Sequence, residues 1–277
     1  MMKFLYWNLN KKVLEEVVVS MVHANDIDVI VLSEPEGIDR SNLLIKLNKS
    51  QMQLYGLNVS PIDDPLVISR LPSQSIENIG DRDHVSIKRI VPPLGKDMLL
   101  IAVHMPSKLY YDEDDQFAFS IRLMDDIAEI EGKLNHKRTV VVGDFNMNPF
   151  EKGMIAGDEL HAVMDRTVAR KESRIIGSER KYFFYNPMWN LFGDIKEPVG
   201  TYYYDNSSRQ KNYYWNIYDQ VIVRPALIDY FDEMSLEIIR EAGGRSLVNK
   251  RGLPDKGKYS DHLPLVFKIN VIKEGLI

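Results

Sequence analysis

Two rhythms of apolar and polar residues run along the chain. Short continuous apolar runs, bounded by Pro, Gly, Asp or Asn, read as buried strands: "MKFLYW", "DVIVLS", "PLVISR", "HVSIKRIV", "MLLIAV" and "RTVVV". Between them the spacing changes to three and four. Residues 11–25 place Leu14, Val17, Val18, Met21 and Val22 on one helical face, and a second helical stretch follows near 40–49. The strongest helical pattern covers 115–134, with Phe117, Ile121, Met124, Ile127, Ile130 and Leu134 as its apolar face. The acidic run "DEDD" in front of it suits the positive end of a helix dipole. The second half is richer in strands: "KYFFYN", "GTYYY", "YDQVIV", "MSLEII" and "LPLVFKINVI". Segment 151–181 shows no clear period.

Helices and strands mix in both halves, and no Pro/Gly/Ser linker divides them. This predicts one α/β domain over 1–277 with two sheets packed together. Composition adds that the chain of 277 residues, 44% hydrophobic and 27% charged, is of ordinary globular type. It has no cysteine, which excludes disulfides and thiolate metal sites and suits a reducing compartment. The apolar run in "MMKFLYWNLNKKV" is too short for a secretory signal, and no run reaches the ~20 residues of a membrane span. The expectation is a cytoplasmic protein. A net charge of −5 argues against a large polynucleotide interface. Two segments run the other way, "ARKESRIIGSERK" and the stretch from Arg245 to Lys258. By themselves they read as solvated loops.

The informative polar residues stand at strand ends. Asn8 follows "FLYW", Glu34 follows "VIVLS", His104 follows "LLIAV", and Asp144 and Asn146 follow "TVVVG", with Gly143 as the hinge. Asp219 precedes "QVIV", while Asp261 and His262 precede "LPLVF". If the last two strands run antiparallel to the others, all these side chains meet at one rim, where α/β sheets ordinarily bind ligands. Turn chemistry accounts for any one of these junctions but less well for all of them. Oxygen donors without cysteine suit a hard cation, Mg²⁺ or Mn²⁺. Such a cation with two histidines suits phosphoryl transfer to water, where an aspartate orients the water and an imidazole handles a proton or developing charge.

These motifs resemble the endonuclease/exonuclease/phosphatase superfamily. "WNLN", "VLSEP", "AVHMPS", "VVGDFNMNP", "IYDQVIV" and "YSDHLPL" occur in that family's order, and "PLVISRLP" and "GTYYYDN" sit where it has comparable strands. The resemblance covers nearly the whole chain and implies a four-layer α/β sandwich, two packed mixed or antiparallel sheets flanked by helices. It implies Glu34 as the main metal ligand, aided by Asn8 and Asp261. Asp144 would orient or activate the attacking water, and Asn146 would hold phosphate and water. His262, held by Asp219, would bind or protonate the scissile phosphate, and His104 would serve the leaving group. Asn10 departs from the family's frequent Asp, and Ser33 from its Gln. The missing Trp and Arg around "GDFN" argue against the inositol phosphatase branch.

The expected activity is a Mg²⁺- or Mn²⁺-dependent phosphodiester hydrolase, an endo- or exonuclease on DNA or RNA. A phospholipid, phosphoinositide or small phosphate ester as substrate is the alternative, and a non-catalytic binding module on the same fold is a third reading. Beside such a centre, Lys250, Arg251 and Lys258 become candidates for holding an anionic substrate, with Arg70 as a further candidate or as a brace of the sheet. "RQKNYYWN" interleaves basic and aromatic residues, a pattern for stacking bases or simply an exposed strand. His23, His84, His136 and His161 belong to no constellation.

Overall fold

The computed structural model describes residues 1–271 except 50, 59, 196, 207 and 209. Most of the apolar runs form the expected strands, with ends shifted by one to three residues, and "KYFFYN" is split between Glu179–Tyr182 and Phe184–Tyr185. Most assemble into two mixed sheets, while Tyr202–Tyr204 pairs with Tyr214–Asn216 in a separate two-stranded sheet. In the first, six strands lie in the order Phe231–Ile238, Leu265–Ile269, Met2–Asn8, Val29–Ser33, Leu66–Ser69 and Gly56–Leu57. In the second, seven lie in the order Ile76–Arg82, Val85–Ile90, Met98–His104, Thr139–Asp144, Asp219–Val223, Phe184–Tyr185 and Ala162–Val163. The expected strand at the C-terminal end stops at Ile269, and its Ile272 lies outside the described residues.

Alternation along the central strands decides which layer each side chain joins. Leu100, Ala102, Val140, Val142, Val221 and Val223 point into the cluster shared with the first sheet. Their neighbours Ile101, Val103, Val141 and Ile222 point the other way, beneath the long helix Glu113–Leu134. Helices Glu15–Asn25 and Arg40–Asn48 cover the outer face of the first sheet through Val18, Val22, Leu43 and Leu47. The result is the α/β sandwich with helices outside. Among the described residues no helix is long and apolar enough to cross a membrane.

The long helix corrects one expectation. Its buried stripe is Gln116, Ser120, Leu123, Ile127 and Glu131, so of the six apolar residues expected on that face only Ile127 is fully buried. The polar members have partners that explain their position. Glu131 receives Arg224 at 2.9 and 3.2 Å and the Thr139 hydroxyl at 2.6 Å, all fully buried. Gln116 donates to the carbonyls of Pro106 and Asn146 at 3.0 and 3.1 Å, tying the helix to two loops at the strand ends. Asp112 caps the helix and forms a reciprocal box with Asp115.

Candidate active site

The sheet registers gather the site. Met98–His104 and Thr139–Asp144 are parallel, with His104 opposite Asp144. Asp219–Val223 runs antiparallel to the latter, with Asp219 opposite Asp144. His104, Asp144 and Asp219 therefore form one row across the rim. In the other sheet Met2–Asn8 and Val29–Ser33 are parallel, ending at Asn8 and just before Glu34. Leu265–Ile269 pairs antiparallel with the first strand, so Asp261 and His262 enter at the same rim.

Backbone strain marks two site residues. Glu34 and Asn146 hold φ of +48° and +49°, the left-handed region that costs a non-glycine residue about 1–3 kcal/mol. Asn146 is fixed by its own N–H to Asp144 Oδ1 at 2.8 Å and by its amide nitrogen to the Met105 carbonyl at 2.9 Å. Gly143 is not a hinge. A Cβ there would stand 1.9 Å from the Val103 carbonyl oxygen, so the close approach of the two strands requires glycine.

Asp219 accepts from His262 Nδ1 at 2.8 and 3.1 Å, and His262 Nε2 then faces Asp144 Oδ2 at 3.8 Å. The imidazole is held from behind as well. Trp7 Nε1 donates to the His262 carbonyl at 2.9 Å, and the Ser260 hydroxyl accepts the His262 N–H at 3.0 Å while donating to the Asn8 carbonyl at 2.6 Å. Burial disfavours the charged ring, but Asp219, Asp144 and Asp261 outweigh it and lift the pKa of His262 to about 10. Burial, with Asp219 adding to it, raises Asp144 above the usual carboxylate range against the pull of both histidines.

His104 forms a second such pair. Its Nδ1 lies 2.7 Å from Asp64 Oδ2 and its Nε2 3.7 Å from Glu34 Oε1. Burial lowers its pKa, and the carboxylates of Asp64, Asp144 and Glu34 reverse that, to about 9. Asp64 escaped the sequence reading, though its signal was present. It stands just before a strand that runs antiparallel to Val29–Ser33, as Asp219 and Asp261 stand before theirs. Gln116 and Tyr202 were also missed. The Tyr202 ring packs 4.7 Å from that of His262.

Asn8 joins the two sheets. Its amide nitrogen donates to Asp144 Oδ2 at 3.1 Å and to Glu34 Oε1 at 3.3 Å, and its oxygen accepts the Asn10 N–H at 2.9 Å. Two carboxylates thus converge on one amide. Asp261, half-buried, is near enough for its charge to raise both His262 and Tyr202. Among the described residues no Lys or Arg pairs with Glu34, Asp144, Asp219 or Asp261; only imidazoles do. Carboxylates outnumber the two imidazoles at this oxygen-rich rim, which fits a hard divalent cation.

The remaining candidates lie elsewhere. Arg70 binds Asp28 at 2.8 Å and Asp26 at 2.6 Å. Asp28 precedes the strand that ends before Glu34, so Arg70 sits at the opposite rim and braces the sheet there, the second of its two expected roles. Lys250, Arg251 and Lys258 are exposed on the loop leading to Ser260, Lys258 within 3.9 Å of Asp255.

The fold recurs in solved structures. Over 97% of this chain and 98% of the other, it superposes on D. rerio TDP2 complexed with single strand DNA product, at 14% identity and a TM-score of 0.55. The chain has the endonuclease/exonuclease/phosphatase fold. The Neisseria 3' phosphatase NExo bound to product DNA hairpin matches over 98% of this chain and all of that one, at 16% identity and a TM-score of 0.54. An AP endonuclease from Archaeoglobus fulgidus matches over the same shares, at 12% identity and a TM-score of 0.54. No family model and no curated protein matches the sequence. The likeness is therefore one of fold.

Proposed function

We propose that the chain is a divalent-metal-dependent phosphodiester hydrolase acting on nucleic acid. The observation that carries this reading is the pair of carboxylate-braced imidazoles, Asp219–His262 and Asp64–His104, on either side of Asp144. A Mg²⁺ or Mn²⁺ held by Glu34, with Asn8 and Asp261 beside it, would supply positive charge to the phosphate and its leaving oxygen. Asp144, its buried carboxylate fixed by Asn8 and the Asn146 N–H, orients the attacking water. His262, charged at neutral pH through Asp219, faces the phosphate oxygens and stabilises their growing charge. His104 donates its proton to the departing oxygen as the P–O bond breaks. Asn146 holds the water and phosphate in line.

Nucleic acid as substrate is supported by the rim beside His262. Tyr202 stacks on Tyr218 at 5.3 Å and on the exposed Tyr204 at 6.4 Å. Lys108 lies 5.2 Å over the Tyr218 ring and Lys211 5.4 Å over the exposed Tyr213. Aromatic faces interleaved with lysines suit bases and backbone phosphates. The two DNA-bound neighbours favour the same substrate.

The test is a hydrolysis panel of single- and double-stranded DNA and RNA, phospholipids and small phosphate esters, with Mg²⁺, Mn²⁺ or EDTA. Nucleic acid cleaved with metal, abolished by EDTA and lost in Asp144→Ala and His262→Ala is the expected result. Cleavage of lipid or small esters alone would overturn the substrate assignment. Variants as active as the wild type would overturn the site.

A further inference from the structure

A second group of potential metal ligands stands at the edge of the first. Asp64, His84 and His104 each offer one ligand atom, and these atoms lie within 4.8 Å of one another. The donor set differs from that of the neighbouring centre. Around Glu34 the donors are oxygens, whereas here two imidazoles meet one carboxylate, a set that suits zinc, cobalt or nickel better than magnesium.

The local structure points the same way. Asp64 Oδ2 is taken by His104, but Oδ1 is buried and has no hydrogen-bond partner among the described residues. Such an oxygen is costly to bury unless something satisfies it. His84 occupies the hairpin between Ile76–Arg82 and Val85–Ile90, at φ of +64°, where Gly or Asn would be the relaxed choice. Its carbonyl accepts the His104 N–H at 2.9 Å, and its ring meets that of His104 edge-on at 5.7 Å. The turn thus delivers an exposed imidazole to a half-buried pair. Ligand atoms around a four-coordinate ion stand about 3.3 Å apart, from metal–ligand distances of about 2.0–2.1 Å. The His84 side chain, exposed at a hairpin tip, has the freedom to rotate inward by that difference.

We infer that Asp64, His84 and His104 form a second metal site that takes a transition ion of the zinc class, and that filling it switches the enzyme off. Ligation would occupy His104 and draw Asp64 away from it, dismantling the pair that serves the leaving group. The binding claim is independent of the proposed reaction, and only the inhibitory consequence rests on it.

The experiment titrates Co²⁺, followed by its visible absorption, and Zn²⁺, followed by calorimetry, into the full chain held in excess Mg²⁺. His84→Gly is the informative variant, because glycine suits the positive φ and His84 takes no part in the hydrolysis. Wild type is expected to give a saturable Co²⁺ band, and His84→Gly to bind at least tenfold more weakly. Zn²⁺ should inhibit Mg²⁺-supported hydrolysis in wild type and inhibit His84→Gly only at tenfold or higher concentration. Equal Co²⁺ binding by the two proteins, or no band in wild type, overturns the proposal. Equal Zn²⁺ inhibition overturns the switch. If wild type hydrolyses nothing, the absorption titration still decides whether the site exists.

Discussion

Asp219→Asn isolates a single charge. The side chain is fully buried, the substitution conserves volume, and an amide oxygen can still accept from His262 Nδ1. What disappears is the negative charge 2.8 Å from the ring. The lift of the His262 pKa from 6.5 to about 10 corresponds to about 5 kcal/mol at 1.36 kcal/mol per pH unit. It is the net of burial, which opposes it, and of three carboxylates, of which Asp219 contributes most and is hydrogen-bonded. Losing that share should remove about 2–3 kcal/mol of support for the imidazolium; at pH 7 the ring stays mostly charged and kcat/KM changes little, while by about pH 9.5 the loss reaches roughly 10- to 40-fold. The sign follows from which form works. The charged ring is the active one, so activity is lost as pH rises through its pKa. That limb should move down by about two pH units in the variant, to about pH 8, so that the two proteins converge at pH 6 and part above pH 8. The assay is kcat/KM on the best substrate of the panel from pH 5.5 to 9.5, with thermal unfolding as a check on the fold. A loss equal at pH 6 and pH 9, or a limb that does not move, would refute the assignment of the working proton to His262.

Asp64→Ala should lower kcat by about 10²–10⁴, the usual worth of general acid catalysis, while Arg70→Ala should leave kcat unchanged and lower the melting temperature; steady-state kinetics beside calorimetry separates the two rims. Gly143→Ala should destabilise by about 2–4 kcal/mol, read by urea denaturation, because the new methyl would overlap the Val103 carbonyl and crowd its Cγ2. Glu159 is buried, its Oε2 has no hydrogen-bond partner among the described residues, and burial raises its pKa to about 7. The folded chain therefore holds that proton more tightly than the unfolded one, and stability falls as pH rises from about 4.5 through 7. Glu159→Gln should recover about 1–3 kcal/mol at pH 8 and almost nothing at pH 4.5; an equal gain at both would exclude titration as the cause.

The strands and the converging rim were legible because burial on both faces writes continuous apolar runs, and each run ends where its first polar residue meets solvent or ligand. The same logic was applied to only one end of "PLVISR". It selected Arg70, at the far rim, and passed over Asp64, because an acid before a proline reads as a turn until strand direction is known. The long helix misled for another reason. A residue's polarity does not reveal its partner, and Gln116 and Glu131 face inward because carbonyls, Thr139 and Arg224 await them there. His84 looked incidental because only the pairing of two distant hairpin strands with Met98–His104 brings it to His104.

Trp7 and His262 stand 255 positions apart and are joined by one hydrogen bond. A ribosome must therefore deliver some 250 further residues after the first strand before that strand can meet its antiparallel mate and the imidazole can take its seat. Until that late, entropically expensive closure, the nascent chain carries most of its acids and an unassembled rim. The proposed hydrolysis is thereby withheld from unfinished molecules by topology alone.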